Sequence, residues 1–317
     1  MSQSPRILVV RLGAMGDVIH TLPAVASLKN SIPGARITWV VEAKWAALLE
    51  GHPAIERVIR LDRGRLGGLQ AAWQELRAGA YDFALDFQGL TKSAVVARLT
   101  RAQRIYGFRD SRESPARFFY STRVLPQGVH MVDRNLDLAA AAGATRLLHT
   151  FTIPGGHPEG ELPRGEFVLA SPNAGWGAKQ WPLEYYSELG RLLESETGMP
   201  LLLNGPTRIE APHTRPHVSG LPGLIHATRV AAAVIGVDSG PLHLAAALGK
   251  PGVAIYGPTD PAINGPYRSC LTLLRSTSAR TTYRRTPDPH PSMRAIQPDA
   301  VFAVLKPTLA LERHDLV

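Results

Sequence analysis

The stretch that most constrains the fold runs from residue 234 to residue 260 and reads VIGVDSGPLHLAAALGKPGVAIYGPTD. An apolar run at 231–237 predicts a buried strand, and a second run predicts another at 252–256. Between them, Pro241 suits the first turn of a helix, where its missing N–H removes no hydrogen bond. Because the connection is short, we expect the two strands to be parallel neighbours joined by a right-handed crossover.

Polar residues gather where the first of these strands ends. Asp238, Ser239 and Gly240 form the turn, and His243 follows in the first turn of the helix. The free N–H groups of a helix N-terminus favour an anion at the carboxyl edge of a parallel sheet. An ordinary Asp/Ser helix cap is the simpler alternative. The further Gly-Pro-Thr-Asp turn at 257–260 favours a site for an anion or a sugar phosphate.

Strand–helix alternation fills the rest of the chain and restarts after a Gly/Pro-rich segment at 154–160. Such a segment predicts a linker, and 317 residues suit two domains. We therefore expect an α/β protein with Rossmann-like domains at 1–157 and 158–317, the second ending in a helix near 298–311. Two such domains would offer their sheet edges to a cleft between them.

The positive charge lies in the first half of the chain. Residues 1–157 contain 20 Lys and Arg against 12 Asp and Glu, a net of +8, whereas residues 158–317 contain 15 against 14. This asymmetry suggests an acidic partner for the first half, and an arginine-rich solvated surface is the alternative. The single cysteine and the absence of signal-peptide and membrane-spanning patterns predict a cytoplasmic protein.

The sequence lacks the patterns that are typical of several common metal, nucleotide and catalytic sites. The eleven histidines show no metal-ligand spacing, and neither a P-loop nor a GxSxG elbow is present. Gly13 and Gly16 give only GxxG after the first strand, which is short of the dinucleotide fingerprint. We therefore expect no metal and no cofactor.

Two charged residues follow strand ends and have two interpretations each. Asp17 opens the first helix, where a carboxylate stabilised by the helix dipole is common, and its position alone favours that structural role. As a functional group it would take a proton from a hydroxyl. Lys179 lies in a Gly/Trp-rich turn. It is either a solvated loop residue or the cation that neutralises a diphosphate leaving group.

Four motifs resemble those of the ADP-heptose:lipopolysaccharide heptosyltransferases of glycosyltransferase family 9. They are ILVVRLGAMGDVIHTLPA, DFQGLTKSA, KQWP and GVDSGPLHLAAALGKPGVAIYGPTDP, and they span nearly the whole chain. The resemblance implies a GT-B fold. It also implies inverting, metal-independent transfer of heptose from ADP-L-glycero-D-manno-heptose to the Kdo/heptose inner core of lipopolysaccharide.

The resemblance also implies roles for individual residues. Asp17 would be the general base and Lys179 would stabilise the departing ADP, while four further residues would hold the donor: Asp238, Ser239, Gly240 and His243. The first domain would bind an acidic Kdo-lipid A acceptor at the inner face of the inner membrane, with Arg112 and Glu113 as its acceptor-side pair. The basic loop that contains Arg63 and Arg65 follows a predicted strand and adds these two residues as further acceptor candidates. Pro222 stands where some members carry an acid expected on the nucleotide ribose.

Two other functions remain open from the sequence. One is a related transferase that uses another nucleotide sugar, such as a UDP- or GDP-sugar. The other is a non-catalytic basic α/β protein that binds nucleic acid or acidic membranes through its first half. The second alternative leaves Lys179 and the polar turn at 238–243 unexplained, so we expect no nucleic-acid partner.

Overall fold

The computed structural model describes residues 4–62, 64–65 and 67–314, with side chains through residue 310. The chain divides into two compact units between Pro154 and Gly155. This division lies within the segment expected to be a linker, three residues before the expected end of the first domain at 157. Within the described residues, no helix has the length and apolar character needed to cross a membrane.

The first unit is an α/β layer structure whose described strands form one sheet in the order β3-β2-β1-β4-β5-β6. All of its paired strands are parallel. Its elements are β1 (Arg6–Val10), α1 (Met15–Ser31), β2 (Arg36–Glu42), β3 (Arg57–Leu61), α2 (Gly68–Ala78), β4 (Phe83–Asp86), α3 (Thr91–Leu99), β5 (Arg104–Phe108), β6 (Thr122–Val124) and α4 (Met131–Ala141).

The second unit repeats the design with a parallel sheet in the order β12-β11-β10-β7-β8-β9. Its elements are β7 (Val168–Ser171), α5 (Leu183–Thr197), β8 (Leu201–Gly205), β9 (Thr214–Val218), α6 (Leu221–Val230), β10 (Ala233–Val237), α7 (Gly240–Ala247), β11 (Gly252–Tyr256), α8 (Pro261–Asn264), β12 (Leu271–Arg275), α9 (Pro291–Arg294) and α10 (Pro298–His314).

The central strands of both sheets are buried along almost their whole length, as expected for parallel strands covered by helices on both faces. The crossover from β10 through α7 to β11 joins parallel neighbours, which confirms the pairing predicted from the sequence. Gly252, with φ of +146°, allows this pairing, because a Cβ there would lie 1.8 Å from the carbonyl oxygen of Val234.

Most predicted strands are present, with ends that differ by a few residues. The strand expected at 231–237 begins only at Ala233, because Ala231 ends α6 and donates its N–H to the carbonyl of Ala227. The sequence did not predict β6, β9, α6 or β12. β9 and β12 are edge strands, and β9 contains Pro216, which an edge strand tolerates. α6 begins with Leu-Pro-Gly, which reads as a loop.

In each sheet, successive strands are added toward one edge, and the chain then returns to the centre and adds strands toward the other edge. We call the position between the two central strands the reversal point, and a ligand site is expected there. In the first unit the reversal lies between β1 and β4, and in the second unit it lies between β10 and β7. Loops that leave the carboxyl ends of such strand pairs diverge to opposite sides of the sheet and leave a crevice where α/β proteins bind ligands.

Candidate active site

Asp17 lies at the reversal point of the first unit, in the first turn of α1 directly after β1. Its Oδ1 is 2.6 Å from Nη2 of Arg11, whose side chain is only 1% exposed, and its Oδ2 accepts from the N–H of Ala14 at 3.2 Å. Arg11 also donates to the carbonyl of Phe87 in the loop after β4. The carboxylate is thus held by a buried guanidinium while 23% of the Asp17 side chain stays exposed.

This ion pair also stabilises the unit, because a buried guanidinium without a counter-charge is costly. Burial lowers the pKa of Arg11, and the negative charge of Asp17 opposes that shift. A second guanidinium, that of Arg112, has its Nη1 3.9 Å from Oδ2 of Asp17 and is largely exposed. Asp17 therefore neutralises a buried charge and presents a carboxylate beside an exposed cation.

Asp86 is a second carboxylate at the same sheet edge, at the end of β4, and it is fully buried. It accepts hydrogen bonds from four donors: the N–H groups of Gln88 (2.9 Å) and Gly89 (3.3 Å), the hydroxyl of Ser93 (2.8 Å) and that of Tyr120 (2.7 Å). Burial raises the pKa of Asp86 and these hydrogen bonds oppose the shift. With no exposed surface, Asp86 organises the loop after β4.

The remaining acceptor candidates are Glu113, Arg65 and Arg63. Glu113 accepts from the N–H of Thr91 at 2.8 Å, at the start of α3, and this interaction lowers the pKa of Glu113. Arg65 is exposed in the turn before α2, and within the described residues no ion pair or hydrogen bond joins it to Asp17. Arg63 lies outside the described residues.

Lys179, Asp238 and His243 meet at the reversal point of the second unit. Nζ of Lys179, on the loop after β7, donates to Oδ2 of Asp238 at 3.0 Å, and Nε2 of His243, on α7, lies 3.8 Å from Oδ1. Burial disfavours the charged form of Asp238, but the hydrogen bond from His243 and the positive charge of Lys179 outweigh it and lower its pKa to about 2. The cluster therefore holds a carboxylate that is ionised at neutral pH between two donors.

Ser239 occupies the N-cap position of α7, but its side chain makes no capping hydrogen bond. Its Oγ is buried and has no partner within the described residues, so the ordinary Ser cap considered from the sequence is wrong at this position. Gly240 begins the helix. Since a buried hydroxyl without a partner costs about 1–3 kcal/mol, a polar ligand at this helix end would relieve the cost.

Two further buried polar atoms lack a partner in the described part of the chain and lie in neighbouring loops. They are Nε1 of Trp176, after β7, and Oγ1 of Thr259, after β11. Two cations also lie against the indole of Trp176. Nζ of Lys179 is 4.2 Å and Cζ of Arg285 is 5.1 Å from the centroid of the ring. The carboxyl edge of this sheet thus combines positive charge with unused hydrogen-bonding capacity.

The sequence did not predict the parts played by Arg11, Asp86, Trp176, Thr259 and Arg285. Arg11 carried a signal, because a charged residue that ends a buried strand must find a partner. Trp176 and Thr259 lie in turns already noted at strand ends. Arg285 had no local signal, since only the fold brings it to Trp176.

Pro222 lies in the first turn of α6, where a carboxylate is nevertheless present. Oε2 of Glu159 accepts from the N–H of Gly220 at 2.6 Å, and a Cβ on Gly223 would lie 2.7 Å from the same oxygen. A residue upstream of β7 therefore supplies an acid to the helix end that lacks one in its own sequence.

Across the described residues, no group of three or more His, Cys, Asp or Glu side chains is arranged to hold a metal ion. Cys270 is exposed and not in a disulfide.

Comparison with known proteins gives a consistent result. The family model described as glycosyltransferase family 9 (heptosyltransferase) matches residues 69–293. Lipopolysaccharide heptosyltransferase 1 of Pseudomonas aeruginosa is 32% identical over 83% of this chain and 81% of that protein. The protein of the same name from Escherichia coli strain K12 is 33% identical over 83% of this chain and 91% of its own length.

Solved structures agree with these sequence relationships. The E. coli heptosyltransferase WaaC with ADP is 27% identical, covers 96% of this chain and 99% of its own, and gives a TM-score of 0.73. E. coli ADP-heptose lps heptosyltransferase II gives 0.79 at 24% identity, over 97% of this chain and 99% of that one, and supports the fold. The expected GT-B class, with two Rossmann-like units, is confirmed. The chain belongs to glycosyltransferase family 9, the heptosyltransferases.

Proposed function

We propose that this chain is an inverting, metal-independent heptosyltransferase that moves heptose from ADP-L-glycero-D-manno-heptose to the Kdo/heptose inner core of lipopolysaccharide. Two solved structures of WaaC, each 27% identical to this chain, contain ADP and ADP-2-deoxy-2-fluoro heptose, which supports the donor. The relatives that are 32–33% identical are named lipopolysaccharide heptosyltransferase 1, which favours the first heptose of the inner core.

The observation that carries this proposal is the cluster of Lys179, Asp238 and His243 beside the unpartnered hydroxyl of Ser239. The Ser239 hydroxyl and the first N–H groups of α7 donate to the diphosphate of the donor. Lys179 stabilises the negative charge that grows on ADP as the bond to the anomeric carbon breaks, so a protein cation does the work that a metal does in other transferases. Asp238 holds Lys179 and His243 in place.

Asp17 is the general base in this mechanism. The acceptor hydroxyl attacks the anomeric carbon on the face opposite the diphosphate, the bond to ADP breaks with its electron pair leaving on the phosphate oxygen, and Asp17 takes the hydroxyl proton. The ion pair with Arg11 fixes the orientation of the carboxylate. Because a sugar hydroxyl is a far weaker acid than a carboxylic acid, proton transfer to Asp17 follows well-advanced bond formation.

The first unit binds the acceptor. Its net charge of +8 over residues 1–157 suits an acidic Kdo-lipid A substrate at the inner face of the inner membrane. Arg112 is an acceptor candidate beside the base, with its Nη1 3.9 Å from Oδ2 of Asp17. It provides an exposed guanidinium for the Kdo carboxylate.

The test is to incubate the protein with ADP-heptose and Kdo-lipid A. We expect release of ADP, addition of one heptose by mass spectrometry, an inverted anomeric configuration by NMR and full activity in the presence of EDTA. UDP- and GDP-sugars in place of ADP-heptose serve as controls. Transfer from one of these but not from ADP-heptose would contradict the donor, a retained configuration would contradict the mechanism, and loss of activity in EDTA would contradict metal independence.

A further inference from the structure

Residues 276–290, here called the strap, leave β12 and return to the carboxyl edge of the second sheet. The N–H of Thr282 donates to the carbonyl of Pro258 at 2.7 Å, in the loop after β11. The carbonyl of Thr286 accepts from the N–H of Ala178 at 3.0 Å, in the loop after β7. The strap is therefore hydrogen-bonded to the two loops that contain the unpartnered Nε1 of Trp176 and Oγ1 of Thr259.

The strap is closely seated on the loop after β7. A Cβ on Gly177 would lie 1.6 Å from the carbonyl oxygen of Pro287, so only glycine allows this approach. The N–H of His290 donates to the carbonyl of Ala178 at 3.2 Å, so the last residue of the strap is also attached to this loop. These backbone contacts fix the position of the strap residues that precede Pro287.

Arg285 is held by the strap against the indole of Trp176, with its Cζ 5.1 Å from the ring centroid. The same ring carries Nζ of Lys179 at 4.2 Å. The two cations differ in their counter-charges. Lys179 is paired with Asp238, whereas within the described residues no carboxylate lies in ion-pairing distance of Arg285.

The charge balance of the site follows from this difference. Lys179 and Asp238 cancel each other, so this pair alone offers little net attraction to a diphosphate. Arg285 adds an uncompensated positive charge, and its planar fork of donors matches two phosphate oxygens at once. The unused Oγ1 of Thr259 and Nε1 of Trp176, on the two loops that the strap joins, are independent signs of a polar ligand there.

We propose that Arg285 is a second diphosphate-binding cation of the donor site, held beside Lys179 by the strap, with Trp176 as its positioning residue. The proposal rests on the proposed function, because it assigns Arg285 to the nucleotide sugar of that reaction. It assigns the diphosphate group and not the base or the sugar, so every nucleoside diphosphate that this protein binds depends on Arg285.

The experiment compares Arg285→Gln with Arg284→Gln by calorimetric titration with ADP. Arg284 is the adjacent arginine on the strap and is exposed, as Arg285 is, and its backbone N–H, which glutamine keeps, donates to Oγ1 of Thr282 at 3.3 Å. We expect Arg285→Gln to weaken ADP binding about tenfold, as for loss of one charge-assisted contact, and Arg284→Gln to change it less than about twofold. Arg285→Lys, which keeps the charge but not the fork, is expected to lie between the two.

A titration with adenosine isolates the diphosphate contribution. Adenosine affinity is expected to be equal in the wild type and Arg285→Gln, because adenosine has no phosphate. Equal ADP affinities in the two glutamine variants, or an equal loss of adenosine affinity, would overturn the proposal. If the wild type binds UDP or GDP instead of ADP, and Arg285→Gln weakens that binding, the donor assignment fails while the role of Arg285 stands. A wild type that binds no nucleoside diphosphate would overturn both.

Discussion

Asp17 and Asp238 invite comparison, because each carboxylate lies at the reversal point of its own sheet and each is paired with a buried cation. They differ in exposure. The Asp238 side chain is 10% exposed and held by Lys179 and His243, whereas that of Asp17 is 23% exposed, with Arg11 on its buried side. A carboxylate that is almost fully enclosed suits a binding scaffold, and one that reaches solvent suits proton transfer.

The largest expected effect comes from Asp17→Asn, which removes the carboxylate that we propose as the base and keeps the shape of the side chain. We expect turnover to fall about 10²–10⁴-fold, the usual contribution of a general base. The measurement is the rate of ADP release with saturating donor and acceptor. Turnover within about threefold of wild type would return Asp17 to a purely structural role.

This variant needs a stability control, since it leaves Arg11 buried without a counter-charge, a change that costs about 3–5 kcal/mol in other proteins. Thermal unfolding therefore sets the assay temperature well below the midpoint of the variant. Asp110→Asn is the matched control, because Asp110 pairs with Arg134 at 2.7 Å at the surface. It is expected to leave turnover unchanged.

The second largest effect is expected for Lys179→Met, which keeps the length of the side chain but removes its charge. Loss of one preorganised donor to a developing negative charge lowers turnover about 10²–10³-fold. ADP affinity falls as well, because the lysine contacts the same group in the bound state. Lys306→Met, which breaks the exposed pair with Glu196, is the control, and an equal loss in both variants would contradict a specific role.

The pH dependence of stability tests the pairing of Asp238 with Lys179. The folded-state pKa of Asp238 is about 2, below its ordinary value of 3.8. A lowered carboxyl pKa contributes stability above the ordinary value that is lost as pH falls through the folded value, here about 2 kcal/mol between pH 4 and pH 2. We expect Lys179→Met to be destabilised at pH 7 and to approach the wild type near pH 2 in urea unfolding. A deficit independent of pH would contradict this coupling.

Tyr120→Phe tests whether Asp86 is structural, as its burial indicates. The change removes one donor from a buried carboxylate and is expected to lower the free energy of unfolding by about 1–3 kcal/mol, with little change in ADP affinity. Tyr186→Phe is the matched control, since the buried hydroxyl of Tyr186 has no partner among the described residues. Equal stability losses in the two variants would show that the hydrogen bond to Asp86 is unimportant.

The smallest effect is expected for Ser239→Ala. Because the buried hydroxyl caps nothing and has no partner, its removal should not lower the free energy of unfolding, while ADP affinity falls about threefold to tenfold for a lost hydrogen bond. Asp260→Ala is the contrast, since Asp260 accepts from the N–H of Ala262 at 2.9 Å as a true cap of α8. A stability loss of about 1 kcal/mol in Ser239→Ala would restore the capping interpretation.

The sequence predicted the elements whose signal is local. Apolar runs indicated the central strands of both sheets, and polar turns at strand ends indicated Lys179, Asp238 and His243, which the fold brings together. The edge strands β9 and β12 were missed because such half-exposed strands mix polar and apolar residues, whereas β3, which is also an edge strand, was predicted.

The remaining site residues depend on contacts between distant parts of the chain. Arg11 reaches the loop after β4 to contact the carbonyl of Phe87, and Tyr120 reaches back to Asp86. Arg285 meets Trp176 only because the strap is fastened to two loops. No local pattern encodes such pairings, since each requires the strand order of its sheet.

The most direct test of this division of labour is the affinity of Asp17→Asn for ADP, measured by calorimetry beside Lys179→Met. We expect Asp17→Asn to bind ADP within about twofold of wild type although its turnover is lost, because the role that we propose for Asp17 is proton transfer and not donor binding. Lys179→Met is expected to bind ADP more weakly. Weakened ADP binding in Asp17→Asn, with wild-type affinity in Lys179→Met, would contradict the assignment of the base to the first unit and the donor to the second.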